Sequence, residues 1–196
     1  MGKVHALQCK HTDPIPEFDF MMKWLSQRMP PDASAIVHGD FKLDNLIFHP
    51  SEPRVIAVLD WEMSTIGHPM ADVANLAGAY YMPRVEPSSG KKANFSQGLL
   101  GAELEGSGVP TEAELLAHYC RLVGRPYPDS HWSFYLAFLF FKLCVILHGI
   151  AARSAQGIAS SAMAGRAQSM VPVVASVARM KMEEGDDAGL EARSRL

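Results

Sequence analysis

The chain has 196 residues, 48% of them hydrophobic, with 18 Lys+Arg against 21 Asp+Glu for a formal net charge of −3. That length and apolar content suffice for a buried core, so one globular domain is expected and disorder as the main state is excluded. The slight acidic excess lacks the positive charge on which phosphate-backbone binding draws, which removes nucleic acid from the expected partners.

Residues 1–16 carry Lys3, His5, Lys10, His11 and Asp13 and no apolar stretch, so they read as a flexible segment without a secretory or evident organelle signal. From Glu17 to Met29 the apolar residues Phe20, Met21, Trp24, Leu25 and Met29 follow helical spacing, and Pro30-Pro31 end the helix. Ala35-Ile36-Val37 reads as a short strand feeding the loop from His38 to Asn45. Leu46-Ile47-Phe48 and Val55 to Leu59 are expected to pair across the turn at residues 49–54, which brings Asn45 and Asp60 to the same end of a hairpin. Pro69 suits a first helical turn, so Asp72 falls near the start of a helix. Residues 83–110 collect Gly90, Gly98, Gly101, Gly106 and Gly108 and are expected to form a mobile loop without a phosphate-binding fingerprint.

Thr111-Glu112-Ala113-Glu114 is a capping box that opens a helix ending at Gly124. The run from about His131 to Arg153 is apolar nearly all round. Lys142 near its middle would cost about 2.5–3.5 kcal/mol in a bilayer, so it reads as a buried helix with Phe138, Phe141 and Val145 in the core, not as a membrane span. A last helix is expected over about 160–182, followed by a solvated, disordered tail at 183–196.

Chemistry concentrates in His38-Gly39-Asp40-Phe41-Lys42-Leu43-Asp44-Asn45 and in the strand that ends on Asp60. Phosphoryl transfer asks a protein for one carboxylate to orient and deprotonate a hydroxyl and for oxygen ligands that hold Mg²⁺ against nucleotide phosphates. Asp40, Asn45 and Asp60 occur in the order Asp, then Asn after a short loop, then Asp after a hairpin, which suits those roles. Asp40 and Asn45 alone would read as turn-forming residues; Asp60 changes that reading. Asp44 and Glu62 are read as solvated carboxylates or as carboxylates that support the metal ligands from behind. His5, His11, His49, His118 and His131 show no metal spacing and are read as surface or packing residues. Cys9, Cys120 and Cys144 are read as reduced, packed thiols of an intracellular protein. Trp24, Trp61 and Trp132 are read as core anchors, and Met163, Met170, Met180 and Met182 as helix packing.

At these residues the chain resembles the aminoglycoside phosphotransferase-like, or choline-kinase-like, branch of the protein-kinase fold. His38-Gly39-Asp40 to Asn45 is similar to that branch's H-G-D-x-x-x-x-N catalytic loop, and Leu59-Asp60-Trp61-Glu62 to its metal loop. Gly67-His68-Pro69 with Asp72 is similar to its G-D-P-x-x-D, with His68 as a departure. Within the branch the likeness is to the kinase-like domain fused ahead of acyl-CoA dehydrogenase domains, which phosphorylates the hydroxyl of 4-hydroxyacyl-CoA. It extends through Phe141-Lys142 and Gly149-Ile150-Ala151-Ala152-Arg153.

The resemblance implies a mainly helical α+β fold: the C-terminal lobe of a kinase over residues 17–182, with the catalytic and metal loops at 35–72 and helices over 111–182. It implies Asp40 as catalytic base, Lys42 as a cation for the ATP γ-phosphate, Asn45 and Asp60 as Mg²⁺ ligands, and His38 and Asp72 as supports of the catalytic loop. It further implies a mitochondrial or peroxisomal setting.

Residues 1–37 hold no Gly-rich loop and no strand with a central lysine, and Lys3, Lys10 and Lys23 are poorly placed for nucleotide. The expectation is therefore a C-lobe alone, with the N-lobe or acyl-CoA dehydrogenase domains as partners in a longer chain. Two other readings stand beside ATP-dependent phosphorylation of a small-molecule hydroxyl. One is an inactive binding or regulatory fragment; the other is a choline- or aminoglycoside-type kinase, with Glu103, Glu105, Glu112 and Glu114 as its acidic group.

Overall fold

The computed structural model describes residues 2–83, 98–158 and 164–194, with side chains to Asp187 in the last stretch. In chain order the elements are α1 (Gly2–Gln8), α2 (Phe18–Gln27), β1 (Ala35–Val37), β2 (Leu46–Phe48), β3 (Val55–Val58), β4 (Thr65–Gly67), α3 (Met70–Ala77), α4 (Glu112–Val123), α5 (Trp132–Ala155) and α6 (Ala164–Ser194). They divide into two compact units, one of residues 1–30 with 133–196 and the other of residues 31–132.

The first unit is helical. Phe18, Met21, Trp24 and Leu25 of α2 are buried, as are Leu136, Phe140, Phe141 and Cys144 of α5 and Val171, Val174, Ala178 and Met182 of α6. Phe18 meets Phe141 at a ring-centroid distance of 5.6 Å. By length and composition α5 could cross a membrane, with a mean hydropathy of 2.0, but 61% of that window is buried inside the protein. Phe141 is 1% exposed, whereas Phe138, expected in the core, is 37% exposed, and Val145 is half-buried. A helix apolar all round still has one face turned out, and the sequence pattern does not say which.

Both ends of this unit differ from the flexible segments expected. Residues 2–8 form α1, with His5 stacked on Phe18 at 3.9 Å. α6 continues to Ser194, and its acidic stretch has partners: Asp186 accepts from Trp24 Nε1 at 3.0 Å and pairs with Arg28 at 2.7 Å.

The second unit holds two short antiparallel sheets. β2 and β3 pair as Leu46↔Val58, Ile47↔Ala57 and Phe48↔Val55, with a bulge at Ile47/Phe48. β1 pairs with β4 through Ala35↔Gly67, Ile36↔Ile66 and Val37↔Thr65. β4 is absent from the sequence reading because three residues after a 3₁₀ turn carry too little periodicity to register. The capping box of α4 forms in both directions: Glu114 N–H donates to Thr111 Oγ1 and Thr111 N–H to Glu114 Oε2. Gly124 ends α4 in the left-handed region at φ 69°. Of the loop expected to be mobile, residues 84–97 lie outside the described residues. Its flanks are tied by Leu99 N–H to Ala79 O at 2.7 Å and by Tyr80 O–H to Pro110 O at 2.7 Å.

Candidate active site

β1 delivers the chain to His38, and the loop turns sharply at Gly39, whose φ of +85° lies in the left-handed region. A Cβ there would come within 2.5 Å of the Met63 carbonyl oxygen, so glycine is needed both for the backbone conformation and for the close approach. The second residue of the H-x-D motif cannot carry a side chain in this geometry.

The Asp72 carboxylate spans the start of the loop. Its Oδ2 accepts from His38 N–H at 2.6 Å and its Oδ1 from Gly39 N–H at 2.9 Å. Asp72 sits in the first turn of α3, where a negative charge also suits the helix dipole. One turn further on, Asn75 Nδ2 donates to the Phe41 carbonyl at 3.1 Å. Asn75 is missing from the sequence reading: its only signal is the three-residue offset from Asp72, which places both on one helix face.

His38 is 2% exposed and joins the two loops. Nε2 donates to the Leu59 carbonyl at 2.7 Å and Nδ1 accepts from Asp40 N–H at 3.2 Å. A carbonyl only accepts and a backbone N–H only donates, so the ring is neutral with its proton on Nε2. Trp61 packs against it with the rings tilted and their centroids 4.7 Å apart, and donates its own Nε1–H to Val58 O at 2.9 Å. Trp61 is 48% exposed, so the core-anchor reading fails for it: its ring covers His38 at the surface and is not enclosed itself.

Asn45 is buried, and its Nδ2 donates to Asp40 O at 2.9 Å and to Asp40 Oδ2 at 3.2 Å. With the amide nitrogen turned to Asp40, Oδ1 is the atom Asn45 has for a hard cation. Leu59 N–H donates to Asn45 O at 2.8 Å, so Asp60 follows directly on the residue that pairs with Asn45. Asp60 is exposed and adopts φ 65°, an uncommon conformation for a residue with a side chain. The Asn45 amide oxygen and the Asp60 carboxylate are hard oxygen donors of the kind a divalent cation takes.

Lys42 Nζ lies 2.9 Å from Asp40 Oδ2. Burial alone would raise the Asp40 carboxyl, but the hydrogen bond and charge of Lys42, with donors from Asn45 and Asn75, outweigh it and hold the group below its ordinary value. Asp40 is therefore a carboxylate near neutral pH, fixed through its backbone N–H, its carbonyl and Oδ2.

His68 begins α3. Its Nδ1 accepts from Met70 N–H at 3.2 Å, a bond that a carboxylate in its place could also accept. Burial, and after it the charge of Arg125, lower its pKa against the opposing pull of Asp129 and Asp32, which keeps the ring available as an acceptor.

A family model described as the phosphotransferase enzyme family matches residues 3–115. Acyl-CoA dehydrogenase family member 10 of Mus musculus is 41% identical over 168 residues, which are 85% of this chain and 15% of that protein. Acyl-CoA dehydrogenase family member 11 of Homo sapiens is 40% identical over 153 residues, 77% of this chain and 18% of its own length. The chain thus spans under a fifth of these relatives. A crystal structure assigned to an aminoglycoside phosphotransferase of Ralstonia eutropha superposes with a TM-score of 0.79 at 39% identity, covering 93% of this chain and 53% of that one.

Proposed function

Because the chain belongs to the phosphotransferase enzyme family, we propose that it carries the catalytic and metal loops of an ATP- and Mg²⁺-dependent kinase acting on a small-molecule hydroxyl. The observation that supports this most is the pair of hydrogen bonds that His38 N–H and Gly39 N–H donate to the Asp72 carboxylate, which with the Asn45–Asp40 contacts holds Asp40 in a preset position. Phosphoryl transfer gains from such positioning more than from covalent chemistry. Asp40 orients the acceptor hydroxyl and takes its proton. Lys42, paired with Asp40 at rest, is a compact cation within reach of a transferred phosphoryl group. Asn45 and Asp60 would hold Mg²⁺, which neutralises phosphate charge when bound.

The acceptor we propose is the hydroxyl of a 4-hydroxyacyl-CoA, on the strength of the similarity to acyl-CoA dehydrogenase family members 10 and 11. An aminoglycoside acceptor is the competing reading, favoured by the description of the solved neighbour. The test follows ATP-dependent phosphate transfer to both acceptors, by this chain and by a longer protein that contains it. Asp40→Asn is expected to lower turnover by about 10²–10⁴-fold with the fold intact, the range of general-base contributions. Asp60→Ala is expected to remove Mg²⁺-dependent nucleotide binding. Near-normal turnover in Asp40→Asn would take the base role from Asp40, and transfer to the aminoglycoside alone would replace the acyl-CoA assignment.

A further inference from the structure

We propose that His5, Cys9 and His148 form a zinc-binding site that staples α1 to α5, separate in sequence and in chemistry from the oxygen donors of the catalytic loops. One ring nitrogen of each histidine and the Cys9 sulfur lie within 4.8 Å of one another. Cys9 N–H donates to His5 O at 2.9 Å, which extends the helical turn by one residue and brings the two side chains onto one face. Sγ is 3.5 Å from His5 Nε2. That is the edge of a tetrahedron with Zn–S of about 2.3 Å and Zn–N of about 2.0 Å, so this pair needs little movement. The third ligand has to close in by roughly 1 Å to complete the set. Histidine with thiolate is a borderline-soft donor set that selects zinc over magnesium or calcium.

The orientation of the rings supports the assignment. His5 is held flat against Phe18 at 3.9 Å, and its centroid is 5.0 Å from that of His148. His148 is fully buried, and its Nε2–H donates to the Asp13 carbonyl at 3.0 Å, the kind of contact that fixes the tautomer of a metal-ligating histidine. That bond leaves a lone pair on Nδ1, yet Nδ1 lies 2.9 Å from the Gln8 amide oxygen, acceptor against acceptor. A cation accepting from both atoms removes the conflict; without one, the amide has to turn over and present its N–H. Burial keeps both imidazoles neutral near pH 7, the form that ligates, while the Asp19 carboxylate favours positive charge at His5. Binding exchanges the Cys9 S–H proton for metal and releases it to solvent, and at His5 the metal takes the Nε2 lone pair that accepts Ile15 N–H at 3.2 Å. The sequence reading finds no metal spacing here because the third ligand arrives from α5.

The probe is Co²⁺, followed by Zn²⁺ competition, on the reduced full chain. One equivalent is expected to give a thiolate-to-cobalt charge-transfer band that Zn²⁺ abolishes, with a rise in melting temperature on Zn²⁺ addition. Cys9→Ser is expected to lose the band while keeping the circular dichroism of the unaltered chain; Cys120 and Cys144 are buried and do not replace it. His5→Gln is expected to weaken Zn²⁺ binding by more than about 10–100-fold, the range for losing a mere supporting contact. His148→Gln could fail to fold, so the Cys9 and His5 variants decide. Absence of a band at one equivalent, or Zn²⁺ affinity unchanged in both variants, overturns the site, the latter by showing adventitious binding elsewhere. All of these readouts are independent of phosphate transfer and so of the kinase reading.

Discussion

At Asp40, on which the proposed chemistry turns, burial and the neighbouring donors pull the carboxyl in opposite directions. Burial pushes the carboxyl up, and Lys42 at 2.9 Å, helped by Asn45 and Asn75, pulls it below its ordinary value. Taking Lys42 away leaves burial as the largest remaining influence. Lys42→Met is therefore expected to raise the titration midpoint of Asp40, read by carbon-detected NMR of the carboxyl, and to shift the acidic limb of any pH–rate profile upward. An unchanged midpoint would mean that the pair does not persist in solution. Asp72 makes a complementary case at the same scale. Asp72→Ala leaves the His38 and Gly39 N–H groups without their acceptor, at about 1–3 kcal/mol for each buried donor, so a clear fall in melting temperature should accompany the loss of rate. A melting temperature within error of the unaltered chain would reduce Asp72 to a surface acid.

At the scale of elements, the first turn of α3 carries Asp72, the brace of the catalytic loop, and His68, two residues before the helix, accepts the N–H of its first residue. His68 Nδ1 can accept that bond only while the ring is neutral. Its folded pKa is lowered, by burial first and then by Arg125 and His131, against Asp129 and Asp32. Below about 6.5 the unfolded chain takes up a proton that the folded chain resists, so the contribution is complete above that pH and is lost as pH falls toward the folded value. His68→Asn, an acceptor for Met70 N–H that does not titrate, is expected to match the unaltered chain at pH 7.5 and to melt higher than it at pH 5.5. Identical pH slopes for the two proteins would sink the idea. His5 and His148 are lowered too, so part of the acid sensitivity persists in the variant.

The same element marks what the sequence could disclose. Asp72, Asn45 and the β2–β3 hairpin were legible because each rests on a local pattern of turn residues, alternation and motif spacing. Asn75, Trp61 over His38, the strand β4 and the His5–Cys9–His148 cluster depend on packing between distant segments, for which a single chain carries no periodic signal. Phe138 fails for a related reason, since hydrophobicity all round a helix hides which face is covered.

Across the whole molecule, the catalytic and metal loops hang on a two-stranded hairpin that exposes much of its apolar surface. Ile47 and Phe48 on β2 are both exposed, as are Val55 and Ile56 on β3, with Leu59 beyond them. An isolated hairpin of this kind is marginal in water, and an apolar surface rimmed by polar residues marks an interaction site. The chain matches 53% of the solved neighbour, 15% of the length of acyl-CoA dehydrogenase family member 10 of Mus musculus and 18% of that of member 11 of Homo sapiens. Two consequences are expected for the 196 residues by themselves. They should self-associate with rising concentration, and Ile47→Lys with Ile56→Lys should return them to monomer in sedimentation velocity. They should also bind ATP·Mg²⁺ weakly and transfer little phosphate, because phosphates left in water are screened from Lys42 and from the metal ligands, and in-line geometry is not enforced. Calorimetry with ATP and Mg²⁺ beside a phosphate-transfer assay decides the matter: micromolar affinity with steady turnover would show that the elements clamping the nucleotide lie within these residues after all.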